Sequence, residues 1–75
     1  MSILTLGQAR VNAHFNPANT SIVDQIKNKS AELIDLFETM RNGENISSEK
    51  HRVISIAQAE IETACMYAVK ANFKN

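Results

Sequence analysis

The chain has one cysteine, one proline and two glycines in 75 residues, and no excess of either charge. Each shortage excludes something. The lone thiol, Cys65, cannot build an internal disulfide framework or a cysteine-based zinc site, and it fits a reducing compartment. Eight Lys plus Arg balance eight Asp plus Glu, which argues against a general nucleic-acid binder, since such proteins carry a basic excess. A neutral chain can still hold a small anion on a few placed cations. No apolar run approaches the roughly 18 residues needed to cross a bilayer. The start of the chain, Met1-Ser2-Ile3-Leu4-Thr5-Leu6-Gly7, puts no charged region ahead of a sustained apolar stretch, so no signal peptide is expected. A chain this short makes one domain, and buries only about 60% of the surface it exposes when unfolded. The expectation is a single-domain soluble protein inside a cell.

The few breakers divide the chain. Pro17 lies in His14-Phe15-Asn16-Pro17-Ala18-Asn19 and disfavours helical geometry at Asn16, so an N-terminal helix must end earlier. Gly43 lies in the second break, Arg41-Asn42-Gly43-Glu44-Asn45. Between and after these breaks the apolar period is helical. The first long helix is predicted over 20–41, with Asn19, Thr20 or Ser21 as N-cap and Ser21 and Asp24 spaced like a capping box. Ile22, Ile26, Leu33, Phe37 and Met40 share a face, widened by Val23 and Ile34. Asp24, Asn28, Asp35 and Thr39 are expected to point away from it. Arg41 suits the C-terminal dipole, and Gly43 is the expected stop.

The second long helix is predicted over 48–72, capped by Ser47 or Ser48, with Glu49 in its first turn and Lys70 and Lys74 near its end. Its main stripe is Val53, Ala57, Ile61, Ala64 and Ala68, with Ile54 and Cys65 beside it. The short loop between the two predicts an antiparallel all-α helical hairpin. Residues 1–17 form an N-terminal arm or short helix, because Leu4, Leu6 and Val11 show no clean period.

The second helix has more apolar surface than a hairpin can cover. Ile56, Ala59, Thr63, Met66 and Tyr67 make another stripe, with Arg52 and Lys70 on the same side. Burial of one Ile or Met side chain contributes roughly 1.5–3 kcal/mol, a large share of a small domain's stability. Two arrangements bury this stripe: the N-terminal segment folds over it, or copies of the chain assemble. Assembly is the expected one.

Catalytic chemistry is poorly represented. There is no Gly-rich phosphate loop, no His-Glu-x-x-His pattern and no Asp-rich calcium loop. His14 and His51 are far apart in sequence and are expected to be solvated or capping. Cys65 falls in an apolar stripe, which suits a packed thiol and not a nucleophile. Glu60 and Glu62 are two apart on a helix and cannot face each other, so both are expected on a solvated face. No enzyme activity, cofactor or metal is expected. Binding features are more coherent. Phe15 stands among amide residues ahead of a helix, where it can stack on a base or act as a hydrophobic staple. Lys27 and Lys29 flank the apolar face of the first helix, where their stems cover apolar surface or their ammonium groups meet an anion. Arg52 can pair with phosphate or with a carboxylate of a neighbouring chain.

The stretch from Ser55 to Ala71, with its Ser55-Ile56 step, Ile61-Glu62 step and Ala64-Cys65-Met66-Tyr67-Ala68 run, resembles the second-helix signature of a family of small phage helical hairpins. His14-Phe15-Asn16-Pro17 is similar to that family's aromatic-and-proline segment, and Ile26-Lys27 to its Ile-Lys step. The family is that of the phage anti-CBASS proteins, sponges for the cyclic oligonucleotide signals of bacterial immunity, and the likeness is to the version carried by T-even-type phages. The resemblance implies a homo-hexamer in the host bacterial cytoplasm. It implies pockets between protomers for cyclic dinucleotides and, in some members, separate sites for cyclic trinucleotides. The ligand is held uncut, with no DNA and no membrane as partner. By the resemblance Phe15 stacks on a base and Lys27 meets the phosphates. Lys29 lies near a family position that often carries a hydroxyl residue, and Arg52 corresponds to the basic residue of the trinucleotide site. A cyclic dinucleotide carries two phosphate charges, which a symmetry-related pair of Lys27 side chains would balance on a two-fold axis. The competing reading is a structural or adaptor hairpin whose surplus stripe docks on another protein.

Overall fold

The structure, a computed structural model, describes residues 3–11, 21–43 and 45–74. The described residues form three α-helices and no strand: α1 Leu6–Arg10, α2 Ile22–Glu38 and α3 Ser48–Asn72. A 3-10 turn over Thr39–Asn42 follows α2. Helices α2 and α3 pack as an antiparallel hairpin, and α1 lies on α2. The molecule is a thin slab, 46 × 32 × 15 Å, and its short dimension is little more than one helix diameter of about 10–12 Å. Such a slab buries its side chains along a seam.

Local chemistry sets each helix start. The Ser21 hydroxyl accepts from Asp24 N at 3.0 Å, and the Ser47 hydroxyl from Lys50 N at 3.1 Å. Helix α1 has a complete capping box: Gln8 N donates to Thr5 Oγ1 at 3.1 Å, and Thr5 N donates to Gln8 Oε1 at 2.9 Å. The Thr5-x-x-Gln8 spacing was in the sequence as a sign of a helix start; the weak apolar period around it obscured that sign.

The first long helix ends earlier than 41. Its regular turns stop at Glu38 and tighten into the 3-10 turn. Gly43 is not its left-handed terminator: its φ is −79°, and among the described residues it is Asn45 that has positive φ, at 58°. Asn tolerates that region because its short polar side chain serves the local backbone.

The seam is narrower than the sequence stripes. Its core is Val11, Ala31, Ile34 and Cys65, with Ile26, Ile61 and Val69 packed against it. Of the expected face, Ile22 of α2 and Met40 of the 3-10 turn are exposed, and Ala31 and Ile34 occupy the centre. On α3 the buried line is Ile54, Gln58 and Cys65, whereas Val53 and Ala64 of the expected main stripe are exposed. The helix is rotated so that a glutamine, not an alanine, meets α2. That glutamine is fully buried.

Gln58 is satisfied by a polar clasp at the closed end of the hairpin. Its Nε2 donates to Ile34 O at 3.2 Å and to Glu38 Oε1 at 2.9 Å. Its Oε1 accepts from Arg41 Nη2 at 3.0 Å. Arg41 donates also to Glu38 Oε1 at 2.8 Å, Ser55 Oγ at 2.7 Å and His51 O at 3.2 Å. Its role is therefore not a generic dipole charge: it ties the 3-10 turn to α3.

Helix α1 docks through a glycine. A Cβ on Gly7 would overlap the Ala31 carbonyl, so only glycine permits this approach. Gly7 N donates to Asp35 Oδ1 at 2.7 Å. Asp35, expected to face solvent, points instead at the start of α1, where its charge also suits the dipole.

Candidate functional site

Helices α1, α2 and α3 meet around a cavity of about 330 Å³. Its floor is apolar: Val11 at the end of α1, and Cys65, Met66 and Val69 of α3. Three charged side chains line it as well, Arg10 from α1, Lys27 from α2 and Glu62 from α3. A cavity of this size is at the lower end of ligand pockets, which combine apolar lining with a few placed polar groups. The cations outnumber the carboxylate, so an anion is favoured there. Cys65 is buried and forms part of the floor.

Of the expected site residues, the three that the structure describes do not gather in one chain. Lys27 lines this cavity. Lys29, two residues on, is nearly opposite on the helix and is exposed beside a shallower groove of about 230 Å³ that runs along Ile26, Leu33, Ile61 and Ala68. Arg52 stands near the start of α3, exposed, with Nη2 3.3 Å from Glu49 Oε1 of its own helix. Phe15 lies outside the described residues. So do His14 and Pro17 of the aromatic-and-proline segment.

The structure adds Arg10 and Glu62. Glu62 was expected on a solvated face, but it is half-buried against the cavity. Arg10 belongs to the N-terminal segment that showed no clean period, so nothing in the sequence aimed it anywhere. Its place follows from the Gly7–Ala31 approach.

Beside the cavity runs the surplus stripe, and it is uncovered. Ile56 is 46%, Met66 62% and Tyr67 66% exposed. Ala59 and Thr63 are also exposed. Among the described residues, the N-terminal segment packs on α2 and leaves this face of α3 open. Lys70 lies over the Tyr67 ring with Nζ 5.8 Å from its centroid, a contact favourable to a cation. Met66 belongs to both the stripe and the cavity wall.

Among the described residues no group of three or more His, Cys, Asp or Glu is placed to hold a metal ion, and no helix is long and apolar enough to cross a membrane.

The family model described as Acb2/Tad1, hairpin domain, matches residues 8–73. The chain belongs to the Acb2/Tad1 hairpin family. The matched range begins within α1 and runs through α3, so it takes in the whole cavity, both lysines of α2, and Arg52. Acb2/Tad1 membership makes this an anti-CBASS protein that sequesters cyclic oligonucleotides, in a family of binding sponges. No curated protein and no solved structure matches the chain.

Proposed function

We propose that this protein captures cyclic dinucleotides intact in the host bacterial cytoplasm, on a homo-hexamer whose pockets form between protomers. The observation that carries the reading is the Lys27 cavity, cationic at its lining and apolar at its floor, set beside an uncovered apolar stripe. A single slab opens this cavity to solvent along the same side of α3 that exposes Met66 and Tyr67. A second copy laid on that stripe would close it and bring a second set of cations. Two phosphates on one ligand then meet two equivalent lysines. Lys27 supplies phosphate charge and Phe15 a stacking face. Lys29 lies on the opposite groove and serves an interface there. Arg52, released from Glu49, serves cyclic trinucleotides at a second class of site. The exchange is a modest one, because an exposed pair of this kind contributes only about 0–1 kcal/mol.

Capture is stoichiometric: no bond is cut, so the sponge must match its ligand in number. Calorimetry of the purified chain with cyclic di-AMP tests this. Wild type is expected to bind, Lys27→Glu to lose binding while keeping its native mass, and Arg52→Ala to lose cyclic trinucleotides alone. Chromatography after denaturing the complex should return the ligand uncut. No uptake of any cyclic oligonucleotide by wild type would instead favour an adaptor that docks its stripe on another protein.

A further inference from the structure

We infer that Arg10 is a second phosphate-binding side chain of the Lys27 cavity, so that α1 is part of the ligand site. This rests on the function proposed above and names a residue that nothing in the sequence pointed to.

Three observations converge on it. First, Arg10 and Lys27 are the cations that line the cavity, and they reach it from different helices. Second, Arg41 and Arg52 are both engaged by glutamates, at 2.8 and 3.3 Å, whereas Arg10 and Lys27 make no ion pair with another described residue. The charge of Arg10 reaches Glu38 only as a long-range field. Third, α1 is held more firmly than its length warrants. A helix of five residues is far below the ~12–15 residues at which isolated helices become even marginal. Its position is therefore set by its contacts: the Gly7–Ala31 approach, the Asp35 carboxylate on Gly7 N, and Val11 in the core. Those anchors deliver the adjacent Arg10 to the cavity wall.

The chemistry of the two cations is complementary. A phosphodiester shares one charge between two oxygens. The planar guanidinium of Arg10 can donate to both in parallel, while Lys27 acts as a compact point charge. Glu62 on the third wall offsets part of the repulsion between the cations before ligand arrives. The ligand class is thus an anion with phosphodiester groups, and each cavity has two distinct donors for one phosphate.

The test is calorimetry with cyclic di-AMP at two salt concentrations, on wild type, Arg10→Gln, Arg10→Lys and Gly7→Ala. Loss of a charge-assisted contact weakens binding roughly 10- to 100-fold, and that is expected for Arg10→Gln, with a shallower dependence on salt. Arg10→Lys should recover part of the loss. Gly7→Ala, which forces α1 off Ala31, should lose as much as Arg10→Gln, and the double variant should lose no more than either. Arg10 is exposed, so Arg10→Gln should melt like wild type. Wild-type affinity in Arg10→Gln at both salt concentrations, alongside lost binding in Lys27→Glu, overturns this inference and leaves the sponge reading standing. Absence of binding in wild type overturns both.

Discussion

Arg41, in the turn after α2, donates at 3.0 Å to the amide oxygen of Gln58, a side chain with no exposed surface on α3. The hairpin is thus closed by a polar lock and not by apolar packing alone. Gln58 also donates to the Ile34 carbonyl and to Glu38, and Arg41 holds Glu38 in turn. A buried amide is tolerable only when its groups are satisfied. Here the same bonds that satisfy it also fix how far α3 is rotated against α2.

Gln58→Ala leaves a cavity and removes three hydrogen bonds of the lock. Destabilisation of about 2–4 kcal/mol is expected from truncation plus lost polar pairing, measured by urea unfolding at fixed protein concentration. Gln58→Leu, which keeps volume, should lose less from packing but still strand Arg41 and Glu38. A change below about 0.5 kcal/mol in both variants, the range of ordinary surface substitutions, would show that the lock is not needed.

Acid should loosen the same end. The Glu38 carboxyl is held below its ordinary value, first by the hydrogen bond from Gln58, then by Arg41, with burial opposing. A carboxylate whose folded value is depressed contributes stability that is present above its unfolded value and is lost as pH falls through the folded one. Stability should therefore fall as the solution is taken below about pH 4.5. Thermal melts across that range check this. Glu38→Gln should be less stable than wild type at neutral pH and show a flatter fall in acid. The Glu38 side chain is 42% exposed, so solvent screens much of the effect.

Asn45 carries the loop's left-handed residue, at φ 58°. Asn45→Gly should be neutral or slightly stabilising, and Asn45→Val destabilising by about 1–2 kcal/mol, because a β-branched side chain is strained there. Equal melting temperatures for the two variants would show that the loop does not hold this conformation in solution.

Charge on the exposed stripe should separate copies of the chain. Ile56→Glu and Tyr67→Glu leave the seam core untouched, since both residues are exposed in one chain and neither belongs to the core cluster. Sedimentation should show the mass falling to that of one chain while far-UV helicity persists. An unchanged mass in the double variant would put the assembly interface elsewhere.

Much of the architecture was written in local chemistry. Ser21 and Ser47 cap the helices, the apolar period makes both long segments helical, and a short connection makes them antiparallel; each of these depends on neighbours within a turn or two. The surplus of Ile56, Met66 and Tyr67 was likewise visible, because counting apolar faces needs only the helical period. Whether a particular residue lies at the centre of a seam depends on helix rotation, which a period fixes only to within a face. That is why Val53 and Ala64 were placed inward and Gln58 was not: a glutamine becomes a core residue only when Ile34 O, Glu38 and Arg41 arrive from another element to satisfy it. Asp35 and Arg10 depend on tertiary contacts in the same way. The sequence alone determined that the chain is a helical hairpin whose second helix carries more apolar surface than the hairpin needs. Tertiary structure alone decided that Gly7 lets α1 touch Ala31, that Asp35 turns toward it, and that Arg10 and Lys27 share a cavity, since close approach between helices is a property of surfaces in contact and has no periodic signature along the chain.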